Sequence, residues 1–90
     1  MKTAQEFREI AIKKLSTPDM VEAARRIETL IFDAIDRGKN YISLNTGYAT
    51  YRDLCDLTNG YDNLKTYLEL HGYTVDTSYF DDSSFFTVSF

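Results

Sequence analysis

The stretch Thr74-Val75-Asp76-Thr77-Ser78-Tyr79-Phe80-Asp81-Asp82-Ser83-Ser84-Phe85-Phe86-Thr87-Val88-Ser89-Phe90 decides the fold. Two β-prone runs flank Asp81 to Ser84, a four-residue connection of turn-forming types, and together they predict a C-terminal hairpin. Side chains alternate along a strand, so Val75, Thr77 and Tyr79 share one face, and Phe86, Val88 and Phe90 share one face of its partner. Both sets are expected to face a helical layer. Phe80 and Phe85 then fall on the opposite side, near the tip, beside Asp81 and Asp82. From Tyr73 onward the chain holds six aromatic rings and three aspartates and no Lys, Arg or His, so this hairpin is acidic as well as ring-rich.

Upstream, four helices and one short strand are legible. Thr3 and Glu6 form a capping-box pattern, and Ala4, Phe7, Ile10, Ala11 and Leu15 fall at helical spacing, which predicts a first helix ending near Leu15. Ser16-Thr17-Pro18-Asp19 supplies a cap, a proline at the first helical position and an acid at the positive end of a second helix. That helix carries the long apolar stripe Met20, Val21, Ala24, Ile27, Leu30, Ile31, Ala34 and Ile35, has Glu22 and Arg26 on its outer face, and stops at Gly38. Tyr41 to Leu44 reads as a strand, followed by a turn at Gly47. Thr50 and Asp53 repeat the capping pattern for a third helix of two turns, closed by Asn59-Gly60. Asp62 is the expected cap of a fourth, running through Leu64, Tyr67, Leu68 and His71 to Gly72.

Ninety residues are too few to divide one core in two, so a single domain over residues 1–90 is expected. With 43% hydrophobic and 27% charged residues and one proline, the chain has the composition of a protein that folds unaided. The polar start Lys2-Thr3-Ala4-Gln5-Glu6 has no signal-peptide core, and no apolar run approaches the roughly 18 residues of a membrane span. A lone Cys55 allows no internal disulfide. The expectation is a soluble, unprocessed, cytoplasmic protein with no membrane partner. Its net charge of −4 is unevenly placed. Residues 1–39 hold eight Lys/Arg against seven Asp/Glu, whereas residues 40–90 hold two against seven, together with eleven of the thirteen aromatics. An acidic, aromatic half repels nucleic-acid phosphates and suits a basic protein surface.

Chemistry-bearing motifs are sparse. His71 sits at a helix end, where the dipole favours a cation and capping or packing is the ordinary role, and nothing in the sequence places Cys55 beside it as an activated nucleophile. Asp76, Asp81 and Asp82 lack the glycine and closing glutamate of a calcium loop and read as a solvated tip. No cofactor, metal or catalytic residue is therefore expected. Tyr48, Tyr51 and Tyr61 form a second aromatic group around the short helices, and tyrosine suits interfaces because it offers contact area with few rotors and a polar handle.

From residue 18 onward, helix, strand, two short helices and hairpin resemble the element order of a winged helix-turn-helix domain, with residues 50–58 and 62–71 as the turn motif and 73–90 as the wing. DNA readers of that kind present Arg, Lys, Asn or Gln from the second helix and basic groups from the wing. Here that helix offers Asp62, Asn63, Lys65, Thr66 and Glu69, and the wing is wholly acidic, which disfavours nucleic acid as partner. Separately, Leu68-Glu69-Leu70-His71-Gly72-Tyr73-Thr74-Val75, an acidic spacer and the terminal Phe86-Thr87-Val88-Ser89-Phe90 resemble small uncharacterised proteins of tailed bacteriophages, in which a helix passes through a Gly-Tyr step into a final hairpin. That resemblance implies compact accessory proteins that bind and redirect host factors in the host cytoplasm, or minor virion parts. The expectation is an α+β domain with a three-stranded antiparallel sheet that acts without catalysis by binding or inhibiting a protein. Its predicted contact residues are Tyr79, Phe80, Asp81, Asp82 and Phe85, flanked by Tyr48, Tyr51 and Tyr61. A DNA-binding regulator and a self-assembling structural protein, homo-oligomeric through residues 20–35 or the terminal strand, are the alternatives.

Overall fold

The structure, a computed structural model, describes residues 1–90. In chain order it forms α1 (Ala4–Leu15), α2 (Pro18–Asp36), β1 (Tyr41–Asn45), α3 (Ala49–Thr58), α4 (Tyr61–Leu70), β2 (Thr74–Phe80) and β3 (Ser83–Ser89). The fold is α+β, and from α2 onward it has the winged-helix-like element order read from the sequence. The strands make one antiparallel sheet in the order β1-β3-β2, so the C-terminal strand is central. No helix is long and apolar enough to cross a membrane.

The first two helix starts form as their sequences dictate. Thr3 and Glu6 close the capping box, with the Glu6 amide donating to Thr3 Oγ1 at 3.2 Å. Thr17 caps α2 by accepting from the Met20 amide at 3.1 Å, with Pro18 behind it. The other two starts differ from expectation. Helix α3 begins at Ala49 and α4 at Tyr61, each one residue before the expected cap, so Thr50 and Asp62 lie inside the first turn and neither helix has a side-chain cap. The third helix is also longer than two turns, at ten residues. Asn59 in the left-handed region, φ 59°, and Gly60, φ 120°, provide the sharp break between α3 and α4.

The core is one cluster in which Ala23, Ile27, Ile31 and Ala34 of α2 meet Ile42, Leu54, Leu64, Leu68, Val75, Phe86 and Val88. Phe86 lies at its centre, with the Tyr51 ring at 5.4 Å and the Tyr61 ring edge-on at 5.9 Å. Buried Thr58 is satisfied by donating to the Leu54 carbonyl at 2.8 Å. Two expected apolar faces are only partly used. Val21 and Ile35, included in the α2 stripe, are exposed, and α1 buries none of its residues.

On the outer face of α2, Glu22 accepts from both Arg25, at 2.7 Å, and Arg26, at 3.1 Å. Those two hydrogen bonds, ahead of simple charge attraction, hold its carboxyl at about 2, below the ordinary 4.5. A depressed carboxyl stabilises the folded helix above the unfolded value and loses that contribution as pH falls from about 4.5 through about 2. Because the triad is solvent-accessible, salt screens it. In a carbon-detected NMR titration the Glu22 midpoint is expected at about 2, below its ordinary 4.5, and about 1 M salt should move it upward.

Candidate functional site

The hairpin turns more tightly than its sequence suggests. Asp81 and Asp82 alone form the connection, both at positive φ (49° and 63°), the pattern of a two-residue type I′ turn. Ser83 and Ser84, expected in a four-residue loop, are instead strand residues paired with Phe80 and Tyr79. Aspartate tolerates this conformation because its short carboxylate hydrogen-bonds locally, and the right-handed strand twist matches a primed turn.

Register then fixes what the tip displays. Ile42 and Leu44 of β1 lie opposite Val88 and Phe86, and β1 ends at Asn45 opposite Phe85. Only the last two rungs of the β2–β3 ribbon, Tyr79 with Ser84 and Phe80 with Ser83, extend past that strand. Tyr79 has the core-facing parity of Val75 and Thr77, yet it is 81% exposed, while Phe80 on the other face is 71% exposed. The expectation that Tyr79 and Phe90 are covered by the helical layer is therefore corrected: Tyr79 stands past the end of β1, and Phe90, also exposed, stands one residue past the end of β3. The tip is a two-sided blade with one ring on each face and both turn carboxylates exposed.

The remaining predicted residues divide into two groups. Phe85 is half-buried on the outer face, diagonal to Phe80, and shares a shallow depression with exposed Tyr48, Ser43 and Asn45. Tyr51 and Tyr61, in contrast, turn inward. Both rings rest on Phe86, and Tyr61 Oη accepts from Thr77 Oγ1 at 3.0 Å. Burial first, and then the adjacent Cys55 thiol, pushes the Tyr51 phenol well above its ordinary value, so it stays neutral. Phe85 thus stands between Phe80, its diagonal neighbour, and Tyr48, across the depression, while Tyr51 and Tyr61 pack on Phe86. Asp76 is in mid-strand, four rungs from the turn aspartates, and no cluster of three His, Cys, Asp or Glu is placed to hold a metal.

Two exposed apolar groups away from the tip escaped the sequence reading: Phe7 with Ile10 on α1, and Phe32 with Ile35 on α2. Their periodicity resembles a core stripe, so only packing distinguishes them. The turn-motif surface is poor in cations. Asp62, Asn63, Thr66 and Glu69 face outward from α4, and Lys65 is drawn over the Tyr61 ring at 5.9 Å from its centroid. No protein-family model, curated protein or solved structure matches the chain.

Proposed function

We infer that this protein is a non-enzymatic binding protein whose hairpin tip docks on a basic, groove-bearing surface of another protein. The observation that carries this reading is the pair of adjacent rings, Tyr79 and Phe80, left exposed on opposite faces of a ribbon ending in two carboxylates. Exposed rings represent an unfavourable solvent contact that a partner's pocket removes, and aromatic anchors are the residues that dominate binding energy when they insert into one. Asp81 and Asp82 supply steering toward cations, and the tight turn keeps the blade ordered before contact. Together with the resemblance of the Gly-Tyr hairpin to tailed-bacteriophage proteins, this supports an accessory factor acting on a host protein in the cytoplasm.

Affinity capture from a bacterial lysate tests it. The wild-type chain should retain a partner that Tyr79→Ser with Phe80→Ser loses, with Kd rising on the order of 100-fold because two aromatic anchors are removed. Both side chains are solvent-exposed, so the variant should keep the wild-type melting temperature. Equal retention by the two proteins would remove the tip from the reading. A salt-dependent shift of duplex DNA, weakened by Lys65→Ala, would replace it with the winged-helix alternative.

A further inference from the structure

Helix α1 is a twelve-residue amphipathic segment with no buried residue. It touches the rest of the chain through Ala11, Ile12 and Leu15, which are half-buried, and through Ser16, whose hydroxyl is 3.5 Å from the Tyr67 hydroxyl on α4. A second row remains uncovered: Thr3, Phe7, Ile10 and Lys14 follow the four-three-four spacing of a coiled-coil seam. Phe7 is 56% exposed and Ile10 49%. Helices this short are marginal in water unless an apolar face is packed. Glu6 and Lys13 flank the seam seven residues, or two turns, apart, in a surface depression lined also by Ile10 and, farther from the seam, by Lys2 and Glu9. Lys13 and Lys14 form no ion pair within the chain.

We propose that α1 pairs antiparallel with α1 of a second copy, Phe7 of each helix packing on Ile10 of the other. The charge pattern selects this occupant. Glu6 and Lys13 lie on the same flank, so an antiparallel two-fold sets Glu6 against the other copy's Lys13 twice, whereas a parallel pairing aligns the two Lys14 residues in the seam and sets Glu6 opposite Ala11, with no opposite charge to meet. The exposed α2 row is a poorer self-association face, because Glu28 lies midway between Val21 and Ile35 and a two-fold antiparallel pairing would set it against its own copy. Two helices of about 18 Å bury less than the roughly 1,200 Å² of a standard interface, so the dimer is weak and reversible, which suits a device that presents two hairpin tips to one target.

Sedimentation equilibrium over roughly 1 μM to 1 mM reads the association. The weight-average mass should rise from one chain toward two, and Phe7→Asp with Ile10→Asp should hold it at one with the helical circular dichroism retained. The decisive arm uses Glu6→Lys and Lys13→Glu as separate variants. Each alone should associate about tenfold more weakly, since both cross-pairs become repulsive, and an equimolar mixture should associate more tightly than either component because opposite charges meet at both positions, even though the Glu6→Lys chain still lacks its capping box. Fraying of a single variant cannot produce recovery on mixing. A strictly monomeric wild type, a dimer that survives the double Asp variant, or a mixture no tighter than its components would overturn the proposal.

Discussion

Replacing Phe86 with alanine is expected to lower stability by about 3–5 kcal/mol, the range for deleting a fully buried aromatic ring from a core that cannot collapse around the void. Phe86 is 0% exposed and sits on the central strand, opposite Leu44 on one side and Thr77 on the other. Its ring is the surface on which Tyr51 and Tyr61 pack, so its removal unseats α3 and α4 from the sheet together. A domain of this size has about 5–15 kcal/mol in total, and each kcal/mol shifts the melting temperature by roughly 4–8 °C. The melting temperature should fall by at least about 12 °C, measured by circular dichroism, with a matching loss in urea midpoint at unchanged slope. Phe80→Ala is the control. The same ring at an exposed tip position should change stability by no more than about 0.5 kcal/mol.

The contrast between those two phenylalanines shows how far the sequence could be read. Strand parity placed Val75, Thr77 and Tyr79 on one face with Phe86 and Val88, and Phe80 with Phe85 on the other, because a two-residue period is a property of the backbone. It could not say where the helical cover ends. Tyr79 has the inward parity of Val75 but projects past Asn45, the last residue of β1, and that limit depends on a strand more than thirty residues earlier in the chain. The turn was misjudged for a related reason. Serine serves in loops and strands alike, so Ser83 and Ser84 carried no local signal against the four-residue connection, and the left-handed aspartates decided it. Thr3, Thr17 and Asn59 were legible because each side chain or conformation acts on its own helix end, whereas Thr50 and Asp62 have the residue types of caps but lie inside the first turns of helices that start without side-chain caps. Among the candidate site residues, the rings at the tip and those beneath it shared one composition, and only Phe86, contacted by two of them, separates support from surface.

Helix α2 carries the second large effect, and it turns on two isoleucines eight residues apart. Both fit the apolar stripe at helical spacing, but eight residues advance about 800°, or some 80° past two full turns, which moves Ile35 off the line that Ile27 shares with the sheet. Ile27 is 1% exposed and Ile35 is 52% exposed. Ile27→Ala should therefore cost about 2–5 kcal/mol, because the cavity opens where α2 meets the rest of the core and stiff neighbours in the sheet cannot close it. Ile35→Ala loses little burial and substitutes a better helix former, so its effect should stay within about 0.5 kcal/mol of zero. Urea unfolding of the two variants at equal, low concentration measures the difference, and equal effects would mean that the outer row of α2 is buried in solution. Raising the concentration then separates the causes of such a result: self-association through that row would make the cost of Ile35→Ala grow with protein concentration, while packing within one chain would leave it constant. The α1 seam predicts no concentration dependence for the difference between these two variants, with neither isoleucine altering association, since neither lies on the helix that holds the second copy.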